Sequence, residues 1–174
     1  MRVIAGEFRS RAIKSLRGME TRPTPDRLRE ALFNILAPEI EGAVFVDAYA
    51  GTGAVGIEAL SRGARGVIFL ERSKAACAII RENLRSLGAE ARAEIRCVPA
   101  VRDLGSAAAD IVFLDPPYAE EKEYDAALRA LAGTPVPLVI AQHSPRRKLS
   151  EEYGGLRRTR VLNQGDNELS FYRR

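Results

Sequence analysis

Residues 43–71 read AVFVDAYAGTGAVGIEALSRGARGVIFLE, a β-rich run, a glycine turn, a helical stretch and a second β-rich run. AVFVD (43–47) and GVIFLE (66–71) are nearly continuous in apolar residues, as strands covered on both faces must be. Between them Ile57, Ala59 and Leu60 fall within a helix predicted over 54–62. A strand, a crossover helix and another strand of this kind make a parallel βαβ unit.

The alternation continues downstream. A helix is predicted over 74–87, with Ile79, Ile80, Leu84 and Leu87 at helical spacing and Gly88 as its stop. AEIRCV (93–98) reads as a third strand and DIVFLD (110–115) as a fourth, joined by a short, weakly patterned crossover. A helix over 122–132 leads to a fifth strand, PLVIAQ (137–142). RRTRVL and ELSFYR then flank NQGDN, where Gly165 and Asp166 are strong turn formers, so the chain should close on an antiparallel hairpin. The expected fold is α/β, a mostly parallel seven-stranded sheet with a C-terminal antiparallel hairpin. Upstream, residues 1–22 are basic and β-rich and suggest a small hairpin or arm. RPTPDRLREALFNIL (22–36) starts a helix: Thr24 or Asp26 can cap, Pro25 suits the first turn, and Leu28, Ala31, Leu32, Ile35 and Leu36 make an apolar face. Residues 1–40 are thus expected as an appendage to a domain over 41–174.

At 174 residues the chain has one domain's length, enough to bury roughly two-thirds of its unfolded surface. Hydrophobic residues at 46% and charged residues at 29% exclude a disordered chain. No apolar run reaches the ~20 residues of a membrane span, and MRVIAGEFRSR carries charges where a signal peptide would be apolar, so the expectation is a cytoplasmic protein. Cys77 and Cys97 lack the spacing of a metal site or disulfide framework and are expected as buried free thiols. Residues 1–29 hold eight Lys/Arg against three Asp/Glu, and 146–174 hold eight against four, which leaves the middle net acidic. Basic ends around such a middle suit a polyanion bound beside a neutral or acidic domain body.

DAYAGTGAVG (47–56) places Gly51, Gly53 and Gly56 in a GxGxxG pattern between strand and helix. Missing side chains there allow a tight turn and close approach of a ligand to the backbone. Glu71, about twenty residues on at a strand end, is placed to accept hydrogen bonds from a nucleoside ribose. Both NAD and S-adenosylmethionine carry such a ribose. Asp47 favours the second, because a carboxylate repels a pyrophosphate but attracts a cationic amino acid end. The expected cofactor set is Asp47, Tyr49, Ala50, Gly51, Thr52, Gly53, Gly56, Glu71, Arg72, Val98, Ala100 and Asp115.

Asp115-Pro116-Pro117-Tyr118 ends the fourth strand. Ligands of open parallel sheets bind at the carboxyl ends of strands, so this tetrapeptide should share a crevice with the glycine loop. Two prolines in succession remove two N–H donors and stiffen the turn, leaving carbonyls free to accept. Acceptors are what an exocyclic amine needs, since they hold its two hydrogens and favour a pyramidal, attacking nitrogen. Asp115 and the Pro116 carbonyl are the candidate acceptors, Asp115 also a relay for the departing proton, and Tyr118 a stacking platform for the base.

With these motifs the chain resembles the RsmD family of bacterial methyltransferases, which modify a guanine at N2 in small-subunit ribosomal RNA. The likeness runs through VIAGEFRSR, RPTPDRLREALFNIL, DAYAGTGAVGIEALSRGA, the Glu71 strand end, DPPY and the terminal hairpin. It implies a Rossmann-like, class I S-adenosylmethionine-dependent fold, and puts Arg22, Thr24, Arg27 and Arg29 at the substrate or cofactor rim, with Arg9 and Arg11 also on the substrate side. One position departs: the family commonly shows Asn or Asp before Ala after the third strand, where this chain has Cys97-Val98-Pro99-Ala100. Adenine would then be held by backbone near Val98 and Ala100, or by Asp103. His143 is expected as a satisfied or exposed histidine, and no metal is required.

The function so implied is methylation of guanine N2 in 16S ribosomal RNA, within an assembling small subunit. Three alternatives stay open: adenine N6 methylation of DNA or RNA, since Asp-Pro-Pro-Tyr suits either amine; an NAD-dependent oxidoreductase, which would lack an evident hydride-transfer partner; and a non-catalytic RNA-binding protein.

Overall fold

Five strands run parallel because helices carry the chain back across the sheet between them. The structure, a computed structural model, describes residues 1–15, 25–117 and 120–174, the side chain of Glu121 excepted. In chain order the elements are α1 (Asp26–Ile40), β1 (Val44–Ala48), α2 (Ala54–Ser61), β2 (Gly66–Leu70), α3 (Lys74–Leu87), β3 (Ala93–Arg96), α4 (Ala100–Leu104), β4 (Ile111–Leu114), α5 (Glu121–Ala132) and β5 (Leu138–His143), then β6 (Glu152–Tyr153), β7 (Leu156–Gln164) and β8 (Asn167–Arg173). The sheet order is β3-β2-β1-β4-β5-β8-β7-β6. From β3 to β5 every pairing is parallel, and β8, β7 and β6 join antiparallel.

The α/β class, the parallel core and the closing hairpin match the sequence reading. One strand more than the seven expected is present among the described residues: β6 spans two residues and pairs with the start of β7 across Gly154 and Gly155. Two residues are too few to show a period of two. The weakly patterned crossover forms a single short helix, α4. At α1, Pro25 precedes the helix without a side-chain cap bond, and Asp26 is its first residue rather than its cap. The Asp26 carboxylate instead accepts from Arg29 at 3.1 Å.

Apolar side chains alternate onto both faces of the sheet. On one face Phe45, Phe69, Phe113 and Ile140 pack beneath α1, α2 and α3; on the other Val46, Leu70, Val112 and Val139 pack beneath α4 and α5. The N-terminal residues belong to the first of these cores through Val3, Phe8 and Ile13. An isolated antiparallel bridge joins Arg2 and Ala12. Ser61 at the end of α2 holds the arm, its hydroxyl accepting from Phe8 N at 2.9 Å and donating to the Ala5 carbonyl at 2.5 Å. Residues 1–15 and α1 therefore share a core with the sheet, and residue 40 marks a change of local pattern rather than the edge of a separate core.

Cys77 and Cys97 depart from expectation. They are joined in a disulfide, and Cys97 is exposed rather than buried. Parallel pairing of Leu70 with Arg96 brings the turns after β2 and β3 side by side, a proximity that a separation of 20 residues conceals.

Candidate cofactor and substrate site

The chain leaves β1 toward β2 on one side, while β4 lies on its other side. Between β1 and β4 the order reverses, and the carboxyl ends of strands open a crevice at such a point. Register settles what stands around it. Ala48 pairs with both Leu70 and Leu114, so the next residues, Tyr49, Glu71 and Asp115, lie abreast on three adjacent strand ends. The sequence elements read separately as glycine loop, ribose acid and Asp-Pro-Pro turn are thereby brought together.

Backbone hydrogen bonds build the glycine loop. Tyr49 N and Ala50 N both donate to the Leu70 carbonyl, at 2.9 and 3.1 Å, which folds the chain sharply over β2. Tyr49 takes a positive φ of 65° to do so, uncommon for a bulky residue and a mark of a conformation imposed by its surroundings. Its hydroxyl donates to Glu123 at 2.7 Å. Burial and that acid push the phenol's pKa far up, so it stays protonated. Gly51, with φ +56°, has nothing within 4 Å of where a Cβ would sit, so this backbone lies open for a ligand. Gly53 opens α2 in the left-handed region, where glycine carries no Cβ penalty. Asn83 of α3 supports the loop from behind by donating to the Thr52 carbonyl at 3.1 Å.

Gly56 is corrected as a cofactor contact. A Cβ there would stand 2.3 Å from the Phe69 ring, and its N–H is taken by Asp47 at 2.8 Å. It is a packing glycine that lets α2 rest on β2. Asp47 plays the orienting part as well, holding the first turn of α2 while itself buried. Its carboxyl pKa is raised well above the ordinary value, first by loss of water, with the Gly56 bond opposing and the charges of Asp115 and Glu71 adding to the rise. Glu71 accepts from Gly51 N at 2.9 Å and from Ser73 N at 2.7 Å, one bond to each oxygen. A carboxylate has about four acceptor positions, so two remain for ribose hydroxyls. Arg72, its neighbour, is exposed and pairs with Glu120 at 2.6 Å, tying the end of β2 to the segment that follows the Asp-Pro-Pro turn.

On the adenine side, the Val98 amide is already spent on the Arg96 carbonyl at 3.0 Å. Ala100 buries its side chain in the second core as the first residue of α4. Asp103 lies 3.5 Å from Arg96.

The turn after β4 is braced from beneath. Asp115 N donates to the Ala48 carbonyl at 3.4 Å, the Pro117 carbonyl accepts from Glu120 N at 2.9 Å, and Pro117 itself is exposed. Tyr124 of α5, fully buried, sets its hydroxyl 3.2 Å from the Pro116 carbonyl and 3.0 Å from the Gln142 carbonyl. Arg147 lies over the Tyr124 ring at 4.7 Å. Neither Tyr124 nor Glu123 was singled out from sequence, and both sit in an amphipathic helix whose pattern reads as ordinary core. Tyr118 lies outside the described residues.

Of the arginines read as substrate contacts, Arg29 is corrected. It is 0% exposed, and its guanidinium donates to the Arg2 carbonyl at 2.6 Å and to Asp26, with Glu58 at 3.8 Å. Burial lowers its pKa, and Glu58 opposes that shift. Glu58 in turn accepts from Ile4 N at 2.8 Å and Ala5 N at 3.1 Å, so this pair pins the N-terminal arm. Arg9, Arg11 and Arg27 are exposed, with Arg11 donating to the Ser86 carbonyl at 2.6 Å. Arg22 and Thr24 fall outside the described residues. His143 is buried and satisfied, between Ser170 Oγ at 2.9 Å and the Ser144 carbonyl at 3.0 Å. Among the described residues no group of three or more His, Cys, Asp or Glu side chains could hold a metal ion, and no helix is long and apolar enough to cross a membrane.

A family profile described as "Conserved hypothetical protein 95" matches residues 1–173. The chain is 35% identical over 184 residues to a Bacillus subtilis (strain 168) protein named "Putative rRNA methyltransferase YlbH", covering 100% of this chain and 99% of that one. It is 40% identical over 120 residues to "Ribosomal RNA small subunit methyltransferase D" of Escherichia coli (strain K12), covering 68% of this chain and 60% of the relative. A solved Escherichia coli chain titled "Putative methyltransferase yhhF" superposes with a TM-score of 0.89 at 31% identity, covering 100% of this chain and 97% of that one.

Proposed function

The chain belongs to the RsmD family of methyltransferases, and from that premise we propose that it is an S-adenosylmethionine-dependent enzyme methylating the exocyclic N2 amine of a guanine in 16S ribosomal RNA. The observation that carries the reading is the meeting of Asp47, Glu71 and Asp115 at one crevice, where the two other acids raise the proton affinity of the first. Three carboxyl groups so placed disfavour a pyrophosphate and favour a cation, whose charge would stabilise the ionised form of each. A cationic nucleoside suits them, and NAD does not. The open backbone at Gly51 and the two acceptor positions left on Glu71 fit its adenosine part.

When bound, S-adenosylmethionine supplies a methyl carbon made electrophilic by its positive sulfur. The protein's part is orientation and proton management. Asp115 and the Pro116 carbonyl accept the two hydrogens of the amine and turn its lone pair toward the crevice. Tyr124 and the two prolines keep that carbonyl from swinging away. Asp115 would accept the proton the amine sheds on methylation, the bond broken being that from the methyl carbon to sulfur, which would keep the electron pair. Tyr118 is assigned the stacking face that holds the base in line. Because this corner takes one flat heterocycle, the nucleotide must be unpaired or turned out of its helix. Exposed Arg9 and Arg11 of the arm and Arg27 of α1 supply phosphate contacts, and the proposed substrate is a small subunit still in assembly.

Radiolabelled cofactor, purified protein and small subunits from cells lacking the enzyme should give methyl transfer, and digestion to nucleosides should place the label in N2-methylguanosine. Label in N6-methyladenosine would transfer the reading to an adenine substrate, and no incorporation would end it.

A further inference from the structure

We propose that Cys77 and Cys97 form a reversible dithiol–disulfide pair, an exchange site for small thiols and disulfides, whose state sets how tightly the adenosine side of the crevice holds its ligand. The inference rests on the cofactor reading of that crevice. Three features place the bond there. Cys97 directly precedes Val98-Pro99-Ala100, the segment assigned to the adenine. Cys77 closes the first turn of α3, with its sulfur 3.3 Å from the carbonyl oxygen of Glu71, the residue assigned to the ribose. Glu71 N also donates to the Arg96 carbonyl at 3.1 Å, so the two turns are already neighbours before any covalent link. The Cα atoms of the pair are 6.3 Å apart, within the usual span of a disulfide, about 4.4–6.8 Å. One covalent bond thus joins the two walls between which an adenosine would lie.

The two sulfurs differ in access. Cys77 is 0% exposed, whereas Cys97 is exposed, so exchange has one point of entry. In the oxidising direction the Cys97 thiolate attacks a sulfur of a small disulfide such as glutathione disulfide, and one glutathione thiolate leaves. The Cys77 thiolate then attacks the Cys97 sulfur of that mixed disulfide and expels the second. Two electrons pass from the cysteines to the small disulfide, and the two cysteine protons end on the two thiols released. Run in reverse, two glutathione thiols open the link. Reduced Cys77 keeps a hydrogen-bond acceptor in the Glu71 carbonyl, so opening leaves that thiol satisfied in place.

The link fixes the spacing of two turns that must otherwise be ordered when ligand arrives, and fixing them in advance lowers the cost of binding. The oxidised form should therefore bind adenosine ligands about five- to tenfold more tightly than the reduced form, a modest effect of preorganisation.

The experiment equilibrates the full chain in glutathione buffers of graded thiol-to-disulfide ratio and counts alkylated cysteines by mass spectrometry. The same samples are then titrated with S-adenosylhomocysteine by calorimetry. Both cysteines should become alkylatable together as the ratio rises, with affinity falling in step. Cys97→Ser, at an exposed position, should bind like the reduced protein at every ratio. Two alkylatable cysteines at all ratios, a bond that no ratio opens, or affinities equal within twofold would each overturn the proposal while leaving the cofactor reading intact. Absence of binding in both states would bring down the cofactor reading and this inference with it.

Discussion

Two regions of this molecule bury carboxylates, and they settle them in opposite ways. Under the N-terminal arm, Glu58 is fully buried among favourable partners: two arm amides and Arg62, at 2.8 Å, donate to it, and the Arg29 guanidinium lies 3.8 Å away. At the strand ends, Asp47 is equally buried, yet the charged groups beside it are two further acids, and Gly56 N donates to it. The first arrangement is closed within the chain and has a structural purpose. The second crowds acids together so that the ionisation of Asp47 is held back, and a ligand's positive charge would favour it, the behaviour expected of the proposed functional region.

The largest expected break in that comparison is at Asp115. Replacing it with Asn should lower the turnover of methyl transfer by about 10²–10⁴-fold, the usual scale for loss of a positioned acid–base group. Calorimetry with S-adenosylhomocysteine should show affinity changed far less, and a loss confined to affinity would contradict the assigned role. At the closed region, Glu58→Gln leaves the buried Arg29 guanidinium short of its counter-charge and should cost about 3–5 kcal/mol of stability. Urea unfolding reads this directly, and a loss below about 1 kcal/mol would show the pair to be dispensable.

Asp47→Asn sharpens the contrast through pH. The native carboxyl has a pKa above its ordinary value of 3.8, so as pH rises past that value the unfolded chain releases this proton first. Its contribution to stability therefore falls with rising pH, until the native group ionises as well. Asn keeps an oxygen for Gly56 N and carries no charge, so the melting temperature of the variant should decline less as pH rises above the ordinary carboxyl value of 3.8. Its affinity for the cationic cofactor should drop roughly tenfold, about 1.4 kcal/mol. Equal pH slopes for variant and parent would remove the crowded-acid account. The smallest effect is expected at Tyr124→Phe, which keeps the buried ring and deletes the hydroxyl bracing Pro116. Turnover should fall severalfold, about 1 kcal/mol for one hydrogen bond, with cofactor affinity unchanged. A drop in affinity with turnover intact would place Tyr124 outside the substrate side of the crevice.

Much of the fold was legible because its signals are local. Continuous apolar runs such as DIVFLD, the helical spacing over 74–87 and the turn at Gly165 each depend on neighbours in sequence, and each element is present. The strand β6 was not legible, because a two-residue strand has no periodicity. The strand-end positions of Glu71 and Asp115 were legible, because they follow from chain order. Gly56 and Arg29 were misread for one shared reason: a motif records which residue occurs, not which way it faces. A glycine that admits a ligand and one that admits a phenylalanine ring fit the same pattern, and an arginine of a surface-like sequence can turn inward onto Glu58. The Cys77–Cys97 bond was missed because parallel β2–β3 pairing, not sequence spacing, brings it about.

Sequence alone determined that the chain alternates strands and helices, that a glycine turn follows the first parallel strand, and that an acid with two prolines ends the fourth. These are statements about backbone preference and periodicity, which neighbouring residues dictate. Only the tertiary structure decided that Tyr49, Glu71 and Asp115 stand abreast, that Glu58 and Arg29 meet beneath the arm, and that two distant cysteines join. Strand register and side-chain burial depend on contacts between residues far apart in the chain, and their energies exist only once those residues have been brought together.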